Sequence, residues 1–145
     1  MKNLILTFAL ILTSLFSFSQ EDKGITITVT IDNVKNDIGK VLMSLHTSET
    51  FMKGKGIIDS ETEIKDGKIT VTFENVLSGD YAIMALHDEN ENKRMDFQEN
   101  GMPKESYGMS NNVMAFGPPQ YDDAKFKVED KHSLLKHYKD LLKKI

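Results

Sequence analysis

The stretch Gly24-Ile-Thr-Ile-Thr-Val-Thr-Ile-Asp-Asn-Val34 determines the fold class of this chain. Along it, isoleucine and valine alternate with threonine, so that one face is apolar and the other carries hydroxyl groups. A period of two that is carried by β-branched residues is typical of a strand buried on one side. We therefore predict a strand whose Ile and Val side chains enter the core of a β-sheet protein.

Four further segments carry strand patterns. Lys40–His46 and Lys68–Glu74 place apolar residues at alternate positions, and the segment 124–128 does so with Ala124, Phe126 and Val128 facing inward. Tyr81–His87 is apolar on both faces, which predicts a central strand. The weakly patterned segment 47–65 is expected to be mainly loop, although Gly56-Ile57-Ile58 could add a short edge strand. Short strands joined by turn residues predict an all-β fold, an antiparallel, immunoglobulin-like β-sandwich.

The beginning of the chain has the pattern of a secretory signal peptide. Lys2 precedes the apolar run Leu4–Leu12, and the small residues Ser17 and Ser19 follow. The run is too short for a membrane-spanning helix, which needs about 20 apolar residues. We expect residues 1–19 to be removed on export to the periplasm or the cell exterior, and we expect no transmembrane span in the mature protein.

The rest of the chain predicts one sandwich domain, residues 20–130. The chain contains no cysteine, so a core or a bound ion must stabilise the exported domain without disulfides. Its formal net charge of −4 makes nucleic acid an unexpected partner.

A helical period replaces the strand period in Lys131–Ile145. The apolar residues of this segment fall on one face of a helix and the lysines on the other; they are Leu134, Leu135, Tyr138, Leu141, Leu142 and Ile145. We predict a short, basic, amphipathic C-terminal helix. It would pack on the sandwich or, alternatively, lie on an anionic membrane or a partner protein, as basic amphipathic helices do.

The stretch Asp88-Glu-Asn-Glu-Asn-Lys-Arg-Met-Asp-Phe-Gln-Glu99 has the ligand spacing of an EF-hand calcium loop. In such a loop alternate positions present oxygen atoms, the seventh supplies its carbonyl, and the twelfth supplies a carboxylate that binds through both oxygens. The candidate Ca²⁺ ligands are therefore Asp88, Asn90, Asn92, the carbonyl of Arg94, Asp96 and Glu99.

One position of the loop departs from this pattern. The sixth residue is Lys93, where a sharp turn favours glycine, and a left-handed conformation costs a residue with a Cβ roughly 1 kcal/mol or more. The loop also follows a strand instead of a helix. The alternative is that Asp and Asn serve here only as turn formers. If calcium binds, we expect weak, structural binding at about 10⁻⁴ to 10⁻³ M.

Two histidines allow a catalytic alternative. His46 and His87 both end predicted strands, and Asp88 adjoins the second. Such a pair could bind zinc or act as a base, so the three could form the site of a metal-dependent hydrolase. The sequence contains no H-E-x-x-H or G-x-S-x-G motif, and histidines at strand ends are more often ordinary rim residues. We therefore expect a non-catalytic protein.

Three segments carry a resemblance to a known family. They are Gly79-Asp-Tyr-Ala-Ile-Met-Ala-Leu-His-Asp-Glu-Asn90, Gly101-Met-Pro-Lys-Glu-Ser-Tyr-Gly-Met-Ser-Asn-Asn112 and Gly117-Pro-Pro-Gln-Tyr-Asp-Asp-Ala-Lys-Phe126. The mature chain resembles the secreted bacterial proteins of the family called domain of unknown function 2141 (DUF2141). The resemblance implies a periplasmic or secreted, transthyretin-like β-sandwich and no assigned activity. It also implies glycines in the acidic loop, where this chain has Glu91 and Lys93.

The long segment from Asp88 to Pro119 is the expected binding surface. Loops of this length in compact domains are usually functional or disordered, and its proline and glycine residues favour an ordered loop. Such a surface would hold Tyr107, Phe116 and Tyr121 and would bind a ligand, a glycan or a protein. The competing hypotheses are the hydrolase and an envelope accessory protein that docks through its C-terminal helix.

Overall fold

The computed structural model describes residues 24–32, 34–112 and 117–129, and the backbone of residues 133–139. The predicted signal peptide and Phe116 lie outside the described residues.

The described part of the chain is built mainly from β-strands. The one α-helix among these residues is a single turn, α1, Tyr121–Ala124, and a 3₁₀ turn spans Ser110–Asn112. The strands are β1 Ile25–Asp32, β2 Lys40–His46, β3 Ile58–Glu63, β4 Ile69–Val76, β5 Gly79–Asp88, β6 Tyr107–Met109, β7 Phe126–Val128 and β8 Ser133–Lys139.

The strands form two sheets. One sheet has the order β4-β1-β8, and the other has the order β3-β2-β5-β6, with β7 also pairing with β5. The β1–β8 pair is parallel, and the other pairs are antiparallel. The chain therefore crosses from one sheet to the other between β1 and β2.

Both sheets contribute to one buried cluster, so the fold is sandwich-like. The alternation predicted for β1 is confirmed, because Ile27, Val29 and Ile31 are fully buried while the threonines between them are partly exposed. From the other strands the cluster includes Val41, Met43, Leu45, Ile69, Val71, Phe73, Ile83, Ala85, Phe126 and Val128. Burying a side chain of this size fully stabilises the fold by about 1.5–3 kcal/mol before entropic costs.

The strand predicted to be central, Tyr81–His87, lies within β5, between β2 and β6. Its second apolar face packs in a separate small cluster of Phe51, Ala82, Met109 and Ala124, which Met84 and Tyr121 cover. The Phe51 ring makes edge contacts with His46 on one side, at a centroid distance of 5.9 Å, and with Tyr121 on the other, at 5.7 Å. This small cluster covers the face of β5 that points away from the main core, so β5 is buried on both faces.

Polar side chains from the end of β6 attach α1 to β5. Buried Ser110 accepts a hydrogen bond from the Ile83 N–H through its Oγ, at 2.9 Å, and donates one to the Ala124 carbonyl. The Asn111 amide donates to the carbonyls of Asp123 and Lys125, at 3.0 and 2.9 Å. The side chains of Ser110 and Asn111 thus bond the backbone of β5 and of residues 123–125.

The prediction of a C-terminal helix is wrong for residues 133–139. These residues form β8, which pairs in parallel with β1 from Thr26↔Ser133 to Asp32↔Lys139. The physical reason is that an isolated helix of about 15 residues is marginal in water, whereas β1 has an edge of unpaired backbone groups to offer. The rest of the predicted helix lies outside the described residues.

Candidate functional site

The acidic loop begins where β5 ends, at a buried carboxylate. Asp88 is 1% exposed, and its Oδ1 and Oδ2 accept hydrogen bonds from the backbone N–H groups of Asn92, at 3.2 Å, and Lys93, at 2.7 Å. Because one carboxylate satisfies two consecutive amides, residues 88–93 fold into a closed turn. The first position of the predicted calcium loop therefore organises the loop backbone.

Three of the other predicted ligands converge beside this turn. The Oδ2 atom of Asp96 accepts hydrogen bonds from the side-chain amides of Asn90, at 2.7 Å, and Asn92, at 2.9 Å. Each asparagine also accepts a backbone hydrogen bond through its Oδ1, Asn90 from Asn92 and Asn92 from Arg94. The structure thus brings Asp88, Asn90, Asn92 and Asp96 together in one loop.

The backbone of the loop has the left-handed turn that the ligand spacing predicts at its sixth position. Lys93 has a φ of 63°, and Glu91 has a φ of 57°. These are the two positions at which the family resemblance implies glycine. Non-glycine residues rarely adopt this conformation, so the loop stores backbone strain.

Glu99 is not brought to the loop. It lies exposed in the turn from Gln98 to Gly101, beyond the Phe97–Pro103 bridge. The Arg94 side chain is also exposed, with its Nε 3.7 Å from Asp96 Oδ1. The structure therefore does not place Glu99 as the twelfth ligand.

A different carboxylate, Glu105, contacts the loop from the strand side. Glu105 is 5% exposed, and its two oxygens accept hydrogen bonds from the backbone N–H groups of Glu89 and Asp96, both at 3.2 Å. It thus joins the two ends of the acidic segment. Ligand spacing within 88–99 does not reveal this residue, because Glu105 is 16 residues from Glu89 along the chain. The only available signal was its place in the Gly101–Asn112 family segment.

The turn between β1 and β2 packs against the end of β5, where the acidic loop begins. His87 is fully buried, and its Nε2 lies 2.8 Å from the Ile38 carbonyl. Next to Ile38, Gly39 has a φ of 70°, and a Cβ on it would lie 2.1 Å from the Asp88 carbonyl oxygen. This close backbone approach requires glycine and fixes the β1–β2 turn against the end of β5.

Two lysines form ion pairs at the exposed side of the acidic loop. Lys93 Nζ donates to Glu61 Oε1 on β3 at 2.6 Å, and Lys40 Nζ lies 3.3 Å from Glu91 Oε2. The hydrogen bond with Lys93 lowers the pKa of the Glu61 carboxyl and raises the pKa of the Lys93 ammonium. Both groups are exposed, so solvent screens the pair, and its role is to hold the loop toward β3.

His46 and His87 do not form one site. On the antiparallel β2–β5 pair, His46 lies opposite Ala82 and His87 lies opposite Val41. Because Val41 and His46 are five residues apart along β2, the histidines are separated by roughly 16 Å at 3.3 Å per residue. The two also lie on opposite faces of the sheet, since Val41 faces the main core and His46 contacts Phe51. The prediction that they share one metal ion is therefore wrong.

The described residues contain no group of three or more His, Asp or Glu side chains arranged to hold a metal ion. The convergence in the acidic loop instead combines the carboxylates of Asp88 and Asp96 with the amides of Asn90 and Asn92. Over the same part of the chain, none of the helices has the length and apolar character needed to cross a membrane.

A family model described as an uncharacterized protein conserved in bacteria (DUF2141) matches residues 29–135. This match covers more than half of the chain, so the chain belongs to that family, and the predicted resemblance is confirmed. The matched range includes the acidic loop and Glu105. No curated protein and no solved structure matches the chain.

Proposed function

We propose that this DUF2141 protein is an exported, non-catalytic binding module whose acidic loop, residues 88–96, binds Ca²⁺ and thereby orders one end of the sandwich. The observation that carries the proposal is the convergence of Asn90 and Asn92 on Asp96 beside the carboxylate of Asp88. These four residues occupy positions one, three, five and nine of the calcium-loop spacing.

The chemistry of the loop supports a hard cation. Asp88 and Glu105 are both buried, and they accept hydrogen bonds from backbone N–H groups. Buried carboxylates are costly without a counter-charge, and the ion pairs of nearby lysines go instead to Glu61 and Glu91. The NH₂ groups of Asn90 and Asn92 face Asp96, so each amide turns over on binding to present its oxygen to the ion. Carboxylate and amide oxygens are the ligands that Ca²⁺ prefers.

The proposed site differs from the sequence prediction in its last acid. Glu99 lies away from the loop, whereas Glu105 lies against the backbone of Glu89 and Asp96. In the proposal Glu105 holds the two ends of the loop in place, and Asp88, Asn90, Asn92 and Asp96 supply the oxygens. With few carboxylates and a strained turn at Lys93, we expect a Kd of about 10⁻⁴ to 10⁻³ M.

Calorimetric titration of Ca²⁺ into the chelator-treated mature protein tests the proposal, together with thermal unfolding at 10 mM Ca²⁺ and 10 mM Mg²⁺. The informative variant is Asp96→Asn, which removes one charge at the point of convergence. Its matched control is Glu99→Gln, which removes the same charge from an exposed turn nearby.

We expect saturable Ca²⁺ binding and a raised Tm, both lost in Asp96→Asn and retained in Glu99→Gln. A ligand at ten times its Kd stabilises the folded state by about 1.4 kcal/mol, which makes the Tm shift measurable. No heat and no Tm shift for the unaltered protein would show that the acidic spacing serves only turn formation.

Export, the non-catalytic role and the class of the sandwich are separate parts of the proposal. Export rests on the predicted signal peptide at residues 1–19, and secretion of the mature protein from a cell that carries the full chain tests it. A non-catalytic role is supported by the separation of His46 and His87. The immunoglobulin-like or transthyretin-like classification of the sandwich stays a prediction.

The binding surface is proposed to lie along the segment from residue 88 to residue 119. Within it, the partly exposed Tyr107 pairs with Leu86 on β5. Just after the segment, the partly exposed Tyr121 donates its hydroxyl hydrogen to the Asp80 carbonyl, toward the other end of β5, at 2.8 Å. Both aromatic residues are therefore held by the sheet and partly open to solvent. Such residues suit a glycan, a small ligand or a protein partner.

A further inference from the structure

The nitrogen Nδ1 of His87 stands out among the described residues. It is the one buried side-chain nitrogen or oxygen there that has no hydrogen-bond partner. Buried polar atoms are nearly always paired, so an exception in a native fold calls for a physical explanation. The Ca²⁺ ligands proposed above do not include His87.

The hydrogen bond made by Nε2 of His87 determines whether Nδ1 carries a hydrogen. Nε2 lies 2.8 Å from the Ile38 carbonyl, and a carbonyl oxygen can only accept, so Nε2 carries the hydrogen. In the neutral ring Nδ1 then has a free lone pair. A histidine that donates one N–H to a backbone carbonyl and presents its other nitrogen is the usual arrangement of a metal-binding imidazole.

A carboxylate lies on the same side of the chain. Glu89 Oε1 is 4.0 Å from His87 Nδ1, too far for a hydrogen bond. His87 lies in β5, and Glu89 is the first residue after that strand ends at Asp88, so the chain places the two side chains close together. The Glu89 side chain is 36% exposed, so the pair opens to solvent at the carboxylate. Asn36 Nδ2 lies 3.4 Å from the same Oε1 and links the pair to the β1–β2 turn.

We propose that His87 Nδ1 and Glu89 bind a borderline divalent ion of the Zn²⁺ class, with water in the remaining positions. One imidazole nitrogen and one carboxylate oxygen form a mixed ligand set that suits Zn²⁺ better than Ca²⁺, which takes oxygen ligands alone. The bound ion ties the end of β5 to the start of the acidic loop, and the contacts of His87 with Ile38 and of Glu89 with Asn36 link both ligands to the β1–β2 turn. This site is separate from the proposed Ca²⁺ site, because neither of its ligands belongs to that set.

Calorimetric titration of Zn²⁺ into the chelator-treated mature protein tests the site, with and without 10 mM Ca²⁺. The variants are His87→Gln and Glu89→Gln; the second alters a partly exposed side chain and leaves the buried ring in place. His46→Gln is the matched histidine control, and Asp96→Asn is the control for the calcium loop. Long-range ¹H–¹⁵N NMR of the imidazoles reports which ring nitrogen the ion contacts.

We expect Zn²⁺ to bind in one saturable step of modest affinity, since only two side chains ligate it, and to shift the His87 Nδ1 resonance. His87→Gln and Glu89→Gln should each weaken that step at least about tenfold, while His46→Gln and Asp96→Asn leave it unchanged. Equal Zn²⁺ affinity in Glu89→Gln and the unaltered protein, or an unshifted Nδ1, would overturn the proposal. Zn²⁺ binding that persists when Ca²⁺ binding fails would support this site and reject only the calcium loop.

Discussion

Glu105 Oε1 accepts a hydrogen bond from the backbone N–H of Glu89 at 3.2 Å, and the other carboxylate oxygen accepts one from Asp96 at the same distance. One buried side chain therefore closes both ends of the acidic loop. This contact, and not the local ligand spacing, holds residues 89–96 against the end of the sandwich.

Replacing Glu105 with glutamine should destabilise the protein by about 1–3 kcal/mol, because the new NH₂ group faces a backbone N–H and leaves it unsatisfied. Denaturant unfolding measures the change, and hydrogen exchange at the amides of Glu89 and Asp96 locates it. Glu99→Gln, in an exposed turn, should stay within about 0.5 kcal/mol of the unaltered protein. Equal stability of the two variants would contradict the role assigned to Glu105.

The strain at Lys93 gives a second prediction. A glycine relieves the steric cost of a φ of 63° but adds backbone entropy to the unfolded chain. Since both Lys93→Gly and Lys93→Ala lose the exposed pair with Glu61, their difference isolates the backbone effect. We expect Lys93→Gly to be more stable than Lys93→Ala by roughly 0.5–1 kcal/mol in denaturant unfolding. The reverse order would show that the left-handed turn is not formed in solution.

Ser110 gives a third prediction. Its hydroxyl satisfies the Ile83 N–H and the Ala124 carbonyl, and the residue is fully buried. Ser110→Ala should therefore cost about 1–3 kcal/mol by leaving both groups unsatisfied. Chemical unfolding, with the exposed Ser78→Ala as the control, measures it. If both substitutions cost equally little, the attachment of α1 to β5 does not depend on this hydroxyl.

His46 predicts a pH dependence of stability. Burial lowers the pKa of its imidazole, and this effect outweighs the raising effects of the Thr50 hydrogen bond and of Asp59. Below the ordinary pKa of about 6.5, the unfolded chain gains a proton that the folded chain resists. Stability should therefore fall as the pH drops through 6.5 and level off below the lowered folded pKa.

The difference between the unaltered protein and His46→Gln isolates this titration from that of the carboxylates. Denaturation midpoints measured from pH 7.5 to 5 should decline more steeply for the unaltered protein than for the variant. Parallel declines would mean that His46 titrates alike in the folded and unfolded states.

The C-terminal strand gives a fifth prediction. Removal of residues 133–145 uncovers the edge of β1 that β8 covers from Thr26 to Asp32. We expect a lower Tm, faster hydrogen exchange in β1 and a tendency to aggregate, because exposed strand edges recruit other chains. Far-UV circular dichroism should show a loss of strand signal. A loss of helical signal with unchanged protection in β1 would support the original helix prediction.

The strands that local alternation predicts are present in the structure, and the failures have identifiable causes. β1 and β4 show their apolar face in sequence because half of each strand is buried. The sequence predicts mainly loop at β3, Ile58-Asp-Ser-Glu-Thr-Glu63, because in this edge strand the half-buried face carries Ser60 and Thr62 after Ile58 and the other face carries only acids, so the apolar alternation is missing. In β8, the apolar residues have a helical spacing, so the sequence predicts a helix where the structure has a strand.

The candidate site was predictable only where its contacts are local. Asp88, Asn90, Asn92 and Asp96 converge as their spacing indicates, because a tight turn of a few residues brings alternate side chains to one side. Glu99 fits the same spacing, yet the chain turns away at Gln98–Gly101. The spacing of ligand residues along the sequence does not predict such a turn.

By itself, the sequence determined the mainly β character of the fold, the family, the central place of β5 and the composition of the acidic loop. Each of these depends on residue order within one segment, where side-chain size, β-branching and turn preference act over a few positions. Only the tertiary structure decided that Glu105 closes the loop, that His87 lies buried beside Glu89, and that residues 133–139 pair with β1. These contacts either join segments that are distant in sequence or depend on burial beneath such segments. They therefore contribute free energy only when the two sheets assemble around the common core.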